Sequence, residues 1–278
     1  MRLITLMAVA IISGTIIGAD AQTTTESAKT TEAATAGETT EVTVDGKTMP
    51  VNMFLAYLRY PRVQSSWMTM KGKLINKSKD GIFKVPIEVR GRFQEDSWRM
   101  QLIISNWERW YVRQNFNDGE FGTSKIQEKK PVTGERSLAD YNIRPDDITL
   151  SFLYWDFVKE ESPEKVSGQH CRVLRLRNRT TSEEALVWVS SKYIFTMKVQ
   201  WFKKGQTTFH RELLFKDFNI YKPKSNSDIK IAMIEEVRIQ GNGWKTMITF
   251  EKPEGDIVND EHLAPVDLFL KEPKTDEN

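Results

Sequence analysis

Two spacings of apolar residues divide this chain. In "GKTMPVNMFLAYLRYP", residues 46–61, Val51, Met53, Phe54, Tyr57 and Leu58 fall at the i, i+3, i+4, i+7 intervals that gather side chains on one face of a helix. Thr48 can cap it, Pro50 suits its first turn and Pro61 ends it, so one amphipathic helix is expected. After it the period drops to two. Phe83, Val85, Ile87 and Val89 alternate with Lys84, Pro86, Glu88 and Arg90, and Trp98, Met100, Leu102 and Ile104 alternate with Arg99, Gln101 and Ile103, which predicts two half-buried strands. A further strand runs through Trp110 and Val112 to an Asn117-Asp118-Gly119 turn and a partner.

The rhythm breaks in the middle of the chain. Between Thr133 and Gly168, capping candidates Ser137 and Asp146, two prolines and the aromatic cluster Phe152, Tyr154, Trp155 and Phe157 read as short helices and loops lying over a sheet. Alternation then resumes. Leu174 and Leu176 alternate with Arg175 and Arg177, and Phe195, Met197, Val199 and Trp201 with Thr196, Lys198 and Gln200; a Lys204-Gly205 turn leads into the next strand. Ile231, Met233, Val237 and Ile239 precede Gly241-Asn242-Gly243, and Trp244, Thr246, Ile248 and Phe250 follow it, the clearest hairpin in the chain. The pattern gives a mainly-β, α+β fold of ten or eleven antiparallel strands in one curved sheet, with an early helix and helical pieces inserted midway.

The ends carry a different message. Arg2, the apolar run from Leu3 to about Gly18 and the triplet Ala19-Asp20-Ala21 read as an export signal over 1–21. Residues 22–41, almost all Thr, Ala and Glu, read as a disordered linker, and 271–278 as a polar tail, leaving a folded body over 42–270. Such a chain belongs in the periplasm. Lys and Arg number 40 against 38 Asp and Glu, so no whole-molecule field calls for nucleic acid.

Catalytic chemistry finds little support. The lone cysteine, Cys171, follows His170 directly, and neighbours on a strand point to opposite faces, so they do not form a dyad. His170, His210 and His262 lack metal-ligand spacing, and no phosphate-binding loop or nucleophile elbow occurs. No enzyme activity, metal or cofactor is expected. Arg172, Arg175, Arg177 and Arg179 read as solvent cover or an edge guard before a phosphate strip. In the same stretch the apolar parity switches between Val173 and Leu174, which calls for a bulge there or for a strand covered on both sides near its start. Eight Trp, fourteen Phe and ten Met load the strands; a filled core fits this and is favoured, and a cavity for an apolar ligand also fits.

The second half, "GQHCRVLRLRNRTTSEEALVWVSSKYIFTMKVQWFKKGQTTFHRELLFKDFNIYK" and "IEEVRIQGNGWKTMITFEK", resembles the outer-membrane lipoprotein-sorting (LolA-like) carriers, over about residues 138–270. Where the proteobacterial carriers have Arg-Pro before a strand, this chain has Glu95-Asp96-Ser97 before Trp98. The resemblance implies an open half-barrel of about eleven strands with a helical lid and a cavity for acyl chains of lipoproteins or other lipid. Its implied wall is Trp98, Met100, Leu102, Leu174, Leu176, Phe195, Met197, Val199 and Trp201, with Phe54 and Trp155 on the lid. Implied partners are acyl chains and membrane proteins of the envelope, met by a monomer. The rival reading is an exported interaction module with a fully packed core.

Overall fold

The computed structural model describes residues 46–59, 65–94, 97–105, 108–115, 123–129, 136–223, 231–259 and 263–270. The export signal, the linker, the polar tail, the Asn117-Asp118-Gly119 turn and His262 lie outside the described residues. Helix α1 (Val51–Arg59) is followed by β1 (Ser66–Ser78), β2 (Gly81–Phe93), β3 (Ser97–Ile104), β4 (Glu108–Asn115) and β5 (Thr123–Lys129). A crossing segment then carries a 3-10 turn (Ala139–Tyr141), the five-residue α2 (Pro145–Thr149) and a second 3-10 turn (Ser151–Tyr154). The chain continues through β6 (Asp156–Val166), β7 (Gln169–Arg177), β8 (Glu184–Ser190), β9 (Phe195–Phe202), β10 (Arg211–Tyr221), β11 (Ile231–Gly241), β12 (Trp244–Phe250) and β13 (Glu254–Ile257).

All thirteen join one antiparallel sheet in the order β5-β4-β3-β2-β1-β12-β11-β10-β9-β8-β7-β6, with β13 beside β1. Two meanders therefore meet at the β1–β12 seam, where Gly72 lies against the partner strand: a Cβ there would sit 2.3 Å from the Thr249 carbonyl oxygen. The edges β5 and β6 are consecutive in sequence, so the crossing segment must return over one face of the sheet. An open sheet of this width curls. The result is the expected mainly-β open half-barrel with few short helices.

Register decides which side chains share a face, because directly opposed residues of an antiparallel pair point the same way. One row runs Asn76–Thr246–Ile239–Leu213–Val199–Val187–Leu174 across seven strands. The next runs Trp244–Gly241–Arg211–Trp201–Ala185–Leu176. In the other meander, Leu102, Met100 and Trp98 oppose Val89, Gly91 and Phe93, which oppose Met70, Met68 and Ser66 on the same face. This inner face is apolar almost throughout.

Three strands lie beyond the alternation read from sequence. β1 was hidden by Gly72 and Asn76 among its inner positions, and β13 is only four residues long. β6 corrects the expectation of helices and loops over 156–166. As an edge strand it carries Pro163 and six charged side chains where a central strand could not, and its pairing with β7 shifts register twice. Those shifts also settle the parity switch in β7. The irregularities lie on the β6 ladder, whereas Cys171, Arg172, Val173 and Leu174 are consecutively buried, so the strand is covered on both sides at its start.

Candidate functional site

The inner face is covered from two directions. α1 presents Phe54, Leu55 and Leu58 to the core; Phe54 and Leu58 belong to the face its helical spacing predicts, with Val51 and Tyr57 half-buried beside them, whereas Met53 of that set is exposed and Leu55 is buried instead. The crossing segment contributes Leu138, Tyr141, Ile143, Ile148, Leu150, Phe152 and Leu153, all buried, and Phe152 meets the Trp201 ring edge-on at 5.4 Å. Trp98, Met100, Leu102, Leu174, Leu176, Met197, Val199 and Trp201 are all buried, and register unites all but Met197 on the inner face; Met197 lies where the β8–β9 ladder shifts by one residue. Phe195 is fully buried beside the same shift, with its ring 5.4 Å from that of Phe215 and 5.6 Å from that of Phe218. Phe54 lies on α1, and the half-buried Trp155 closes the crossing segment. The aliphatic and aromatic surface is continuous and, in this state, filled by the protein's own cover.

Polar contacts fasten that cover, and sequence reading did not find them. Arg211 projects from β10 among apolar neighbours and meets the carboxylate of Asp147 on α2 as a buried ion pair, while also donating to the Asn142 carbonyl at 2.9 Å. Asp147 accepts from the backbone N–H of Arg144 at 2.7 Å as well, the reciprocal contact that starts α2. Burial pushes the Asp147 carboxyl above the ordinary carboxylate range and holds Arg211 below its usual value; their mutual attraction opposes both shifts. Oδ1 of Asp147 and Nε of Arg211 have no hydrogen-bond partner, so the pair is incompletely satisfied. Nearer the seam, the Tyr141 carbonyl accepts from Thr246 Oγ1 and from Asn76 Nδ2, the latter at 3.3 Å.

The helix is tied in the same manner. Arg172, the second cation on the inner face, donates to the carbonyls of Gly46 at 3.2 Å and Met49 at 2.6 Å, and to both oxygens of Glu160. Gly46 is needed there, since a Cβ would fall 2.2 Å from the Ser191 carbonyl oxygen. At the far end of α1, Arg59 donates to the carbonyls of Leu153 and Trp155, both at 2.7 Å, and accepts at its own carbonyl from the Tyr154 hydroxyl. Helix and crossing segment therefore form one cover, hung on backbone carbonyls.

The other arginines singled out in sequence face solvent and pair with carboxylates on neighbouring strands: Arg175 with Glu161 and Glu184, Arg177 with Glu184, Arg179 with Asp156. Arg172 departs from that expectation, being buried beneath α1. Burial pushes the Cys171 thiol up to about 11, so it is protonated at neutral pH, while His170 is exposed on the opposite side of the strand. Among the described residues no three His, Cys, Asp or Glu come together as metal ligands, and no helix is long and apolar enough to cross a membrane.

No family profile matches the chain, and no curated protein matches it. Solved structures do. A DUF1329 family protein from Desulfovibrio piger aligns over 73% of this chain and 88% of its own, at 12% identity and a TM-score of 0.52. A domain named for outer membrane lipoprotein sorting, from Vibrio parahaemolyticus, aligns over 72% of this chain and 90% of its own, at 13% identity and a TM-score of 0.50. A LolA superfamily protein from Nitrosomonas europaea aligns over 82% and 98%, at 12% identity and a TM-score of 0.45. The first two alignments give the chain the fold of a lipoprotein-sorting domain, the fold class that the sequence resemblance named.

Proposed function

We propose that this chain is a non-catalytic periplasmic carrier whose inner sheet face takes up acyl chains, of lipoproteins or of other lipids, when the cover lifts. The observation that carries this reading is a mostly apolar sheet face closed by a cover that adds no strand to the sheet, in a fold shared with a domain named for lipoprotein sorting. The cover contributes no strand to the sheet, and its polar attachments to the sheet gather at Arg211, Arg172, Asn76 and Thr246. An acyl chain replaces one apolar lining by another, so each buried methylene supplies about 0.8 kcal/mol toward displacing it. A chain of sixteen carbons supplies on the order of 10 kcal/mol gross, to be set against the Arg211–Asp147 pair and the hydrogen bonds that fasten the cover. Displacement of a fluorescent fatty acid by saturated acids of increasing length tests this: affinity rises with each methylene, and a flat series contradicts it.

One observation favours a second reading, an exported interaction module with a packed interior: Trp201, Leu174 and Phe152 are already 0–1% exposed without any ligand. Under that reading Trp201→Asp unfolds the protein and no acyl chain binds the wild type.

A further inference from the structure

The outer face of the first meander is charged in a way that the balanced composition conceals. By register it carries Lys71, Lys73 and Lys77 on β1, Lys84, Arg90 and Arg92 on β2, Arg99 on β3 and Arg113 on β4. Among the described side chains of those four strands the single acid is Glu88, which is paired with Arg90; Glu254 and Asp256 of β13 lie opposite Thr69 and Trp67 at the margin of this face, and Asp267 lies on the segment that crosses it. Arg92, Arg99 and Arg113 stand directly opposite one another on three adjacent strands. Like charges so placed oppose pairing, and the half-buried Arg92 is held below its usual pKa, by burial first and by neighbouring Arg99 second. The arginines of β7 have carboxylates beside them; among the described residues no carboxylate pairs with Lys71, Lys73, Lys77 or Lys84, all but Lys77 of which line one groove.

That groove encloses about 670 Å³, with Ile75, Pro86 and Ile103 as apolar lining and Glu88 and Glu251 as its acids. The segment 263–270 lies across the same face. Arg90 donates to the carbonyls of Asp267 and Leu268, and Gln101 exchanges two hydrogen bonds with the backbone of Leu270. Leu268 is buried by this strap, but Leu263 is 75% exposed and Val266 fully so. Trp67 and Tyr111, half-buried on the same face, are of the amphipathic type that settles at a bilayer interface.

We infer that the outer face of β1–β4 with the 263–270 strap docks on an anionic phospholipid surface, lysines and arginines to headgroups and Leu263 and Val266 into the interface. Cations alone would suit any polyanion. The exposed leucine and valine beside them have nothing to contact on a nucleic acid and match a bilayer. This surface lies opposite the covered face, so the inference does not depend on acyl-chain uptake.

Vesicle flotation of the full-length mature protein tests it, using phosphatidylcholine alone and phosphatidylcholine with phosphatidylglycerol. The protein floats with the anionic vesicles at low salt and is released when the Debye length falls to about 3 Å at 1 M salt. At about a factor of five per cation, K71Q/K73Q/K84Q weakens partitioning on the order of 100-fold, while K71R/K73R/K84R retains it and controls for folding. L263S/V266S weakens binding while leaving its dependence on anionic lipid. Equal binding to neutral vesicles, or an unaltered K71Q/K73Q/K84Q, overturns the inference. So does binding to heparin or duplex DNA without binding to vesicles, which assigns the face to a soluble polyanion.

Discussion

Replacing Asp147 by Asn removes a charge at almost constant shape and leaves Arg211, 2% exposed, without its counter-ion. Arginine cannot shed its proton, so the cost appears in stability. Its Nη2 keeps the Asn142 carbonyl, while Nε already lacks a partner, so no other acceptor takes over. Breaking a buried pair in this way costs about 3–5 kcal/mol. For a domain of this size that lowers Tm by about 10 °C and the urea midpoint by about 1–2 M at unchanged slope. Urea titration followed by tryptophan fluorescence reads it directly, because Trp201 lies beneath the pair. The double variant D147L/R211M supplies the decisive comparison. Since the wild-type pair is incompletely satisfied, two apolar side chains of similar volume restore stability to within about 1 kcal/mol of wild type or exceed it. A D147N cost below about 1 kcal/mol, or a double variant as unstable as the sum of the singles, would refute the argument that this contact is desolvated.

Other perturbations separate neighbouring residues of one stretch. Arg172→Ala costs about 2–4 kcal/mol because it frees the Gly46 and Met49 carbonyls and isolates Glu160, whereas R177A/R179A, at exposed pairs, leaves the denaturation midpoint almost unchanged, and the midpoints distinguish them. Cys171 in the native protein reacts with iodoacetamide about 100-fold more slowly at pH 8.5 than in urea, because a thiol raised to about 11 is scarcely ionised there; equal rates contradict its burial. The sign for stability follows: the folded state favours the neutral thiol, so its contribution is complete below the unfolded pKa of about 8.5 and lost as pH rises through about 11. Gly72→Ala destabilises by about 1–3 kcal/mol through its contact with the Thr249 carbonyl, visible as a lower Tm.

What could be read from sequence followed from local pattern. The β11–β12 hairpin combined alternation with Gly-Asn-Gly, and the structure closes it with Gly243 at φ 77°, a conformation that favours glycine. The inner-face residues Trp98, Met100, Val199 and Trp201 could be named because period two assigns faces within a strand, although it cannot say which face is covered. β1 escaped because Met68, Met70 and Leu74 share their face with Gly72 and Asn76, which weakens the apolar signal. Asp147 and Arg211 are 64 residues apart and join only through tertiary packing, so no local motif announces them. The basic outer face was hidden for another reason. Acids elsewhere balance the total, and only the register brings the cations of separate strands into rows.

The central claim, that the covered face opens to hold an acyl chain, is tested most directly by native mass spectrometry of the protein purified without detergent. The account predicts a population heavier than the bare chain by the mass of an acyl lipid, which is lost on denaturation and whose share falls when a longer fatty acid competes. A single peak at the mass of the bare chain, unchanged after incubation with fatty acids from about eight to eighteen carbons, contradicts it.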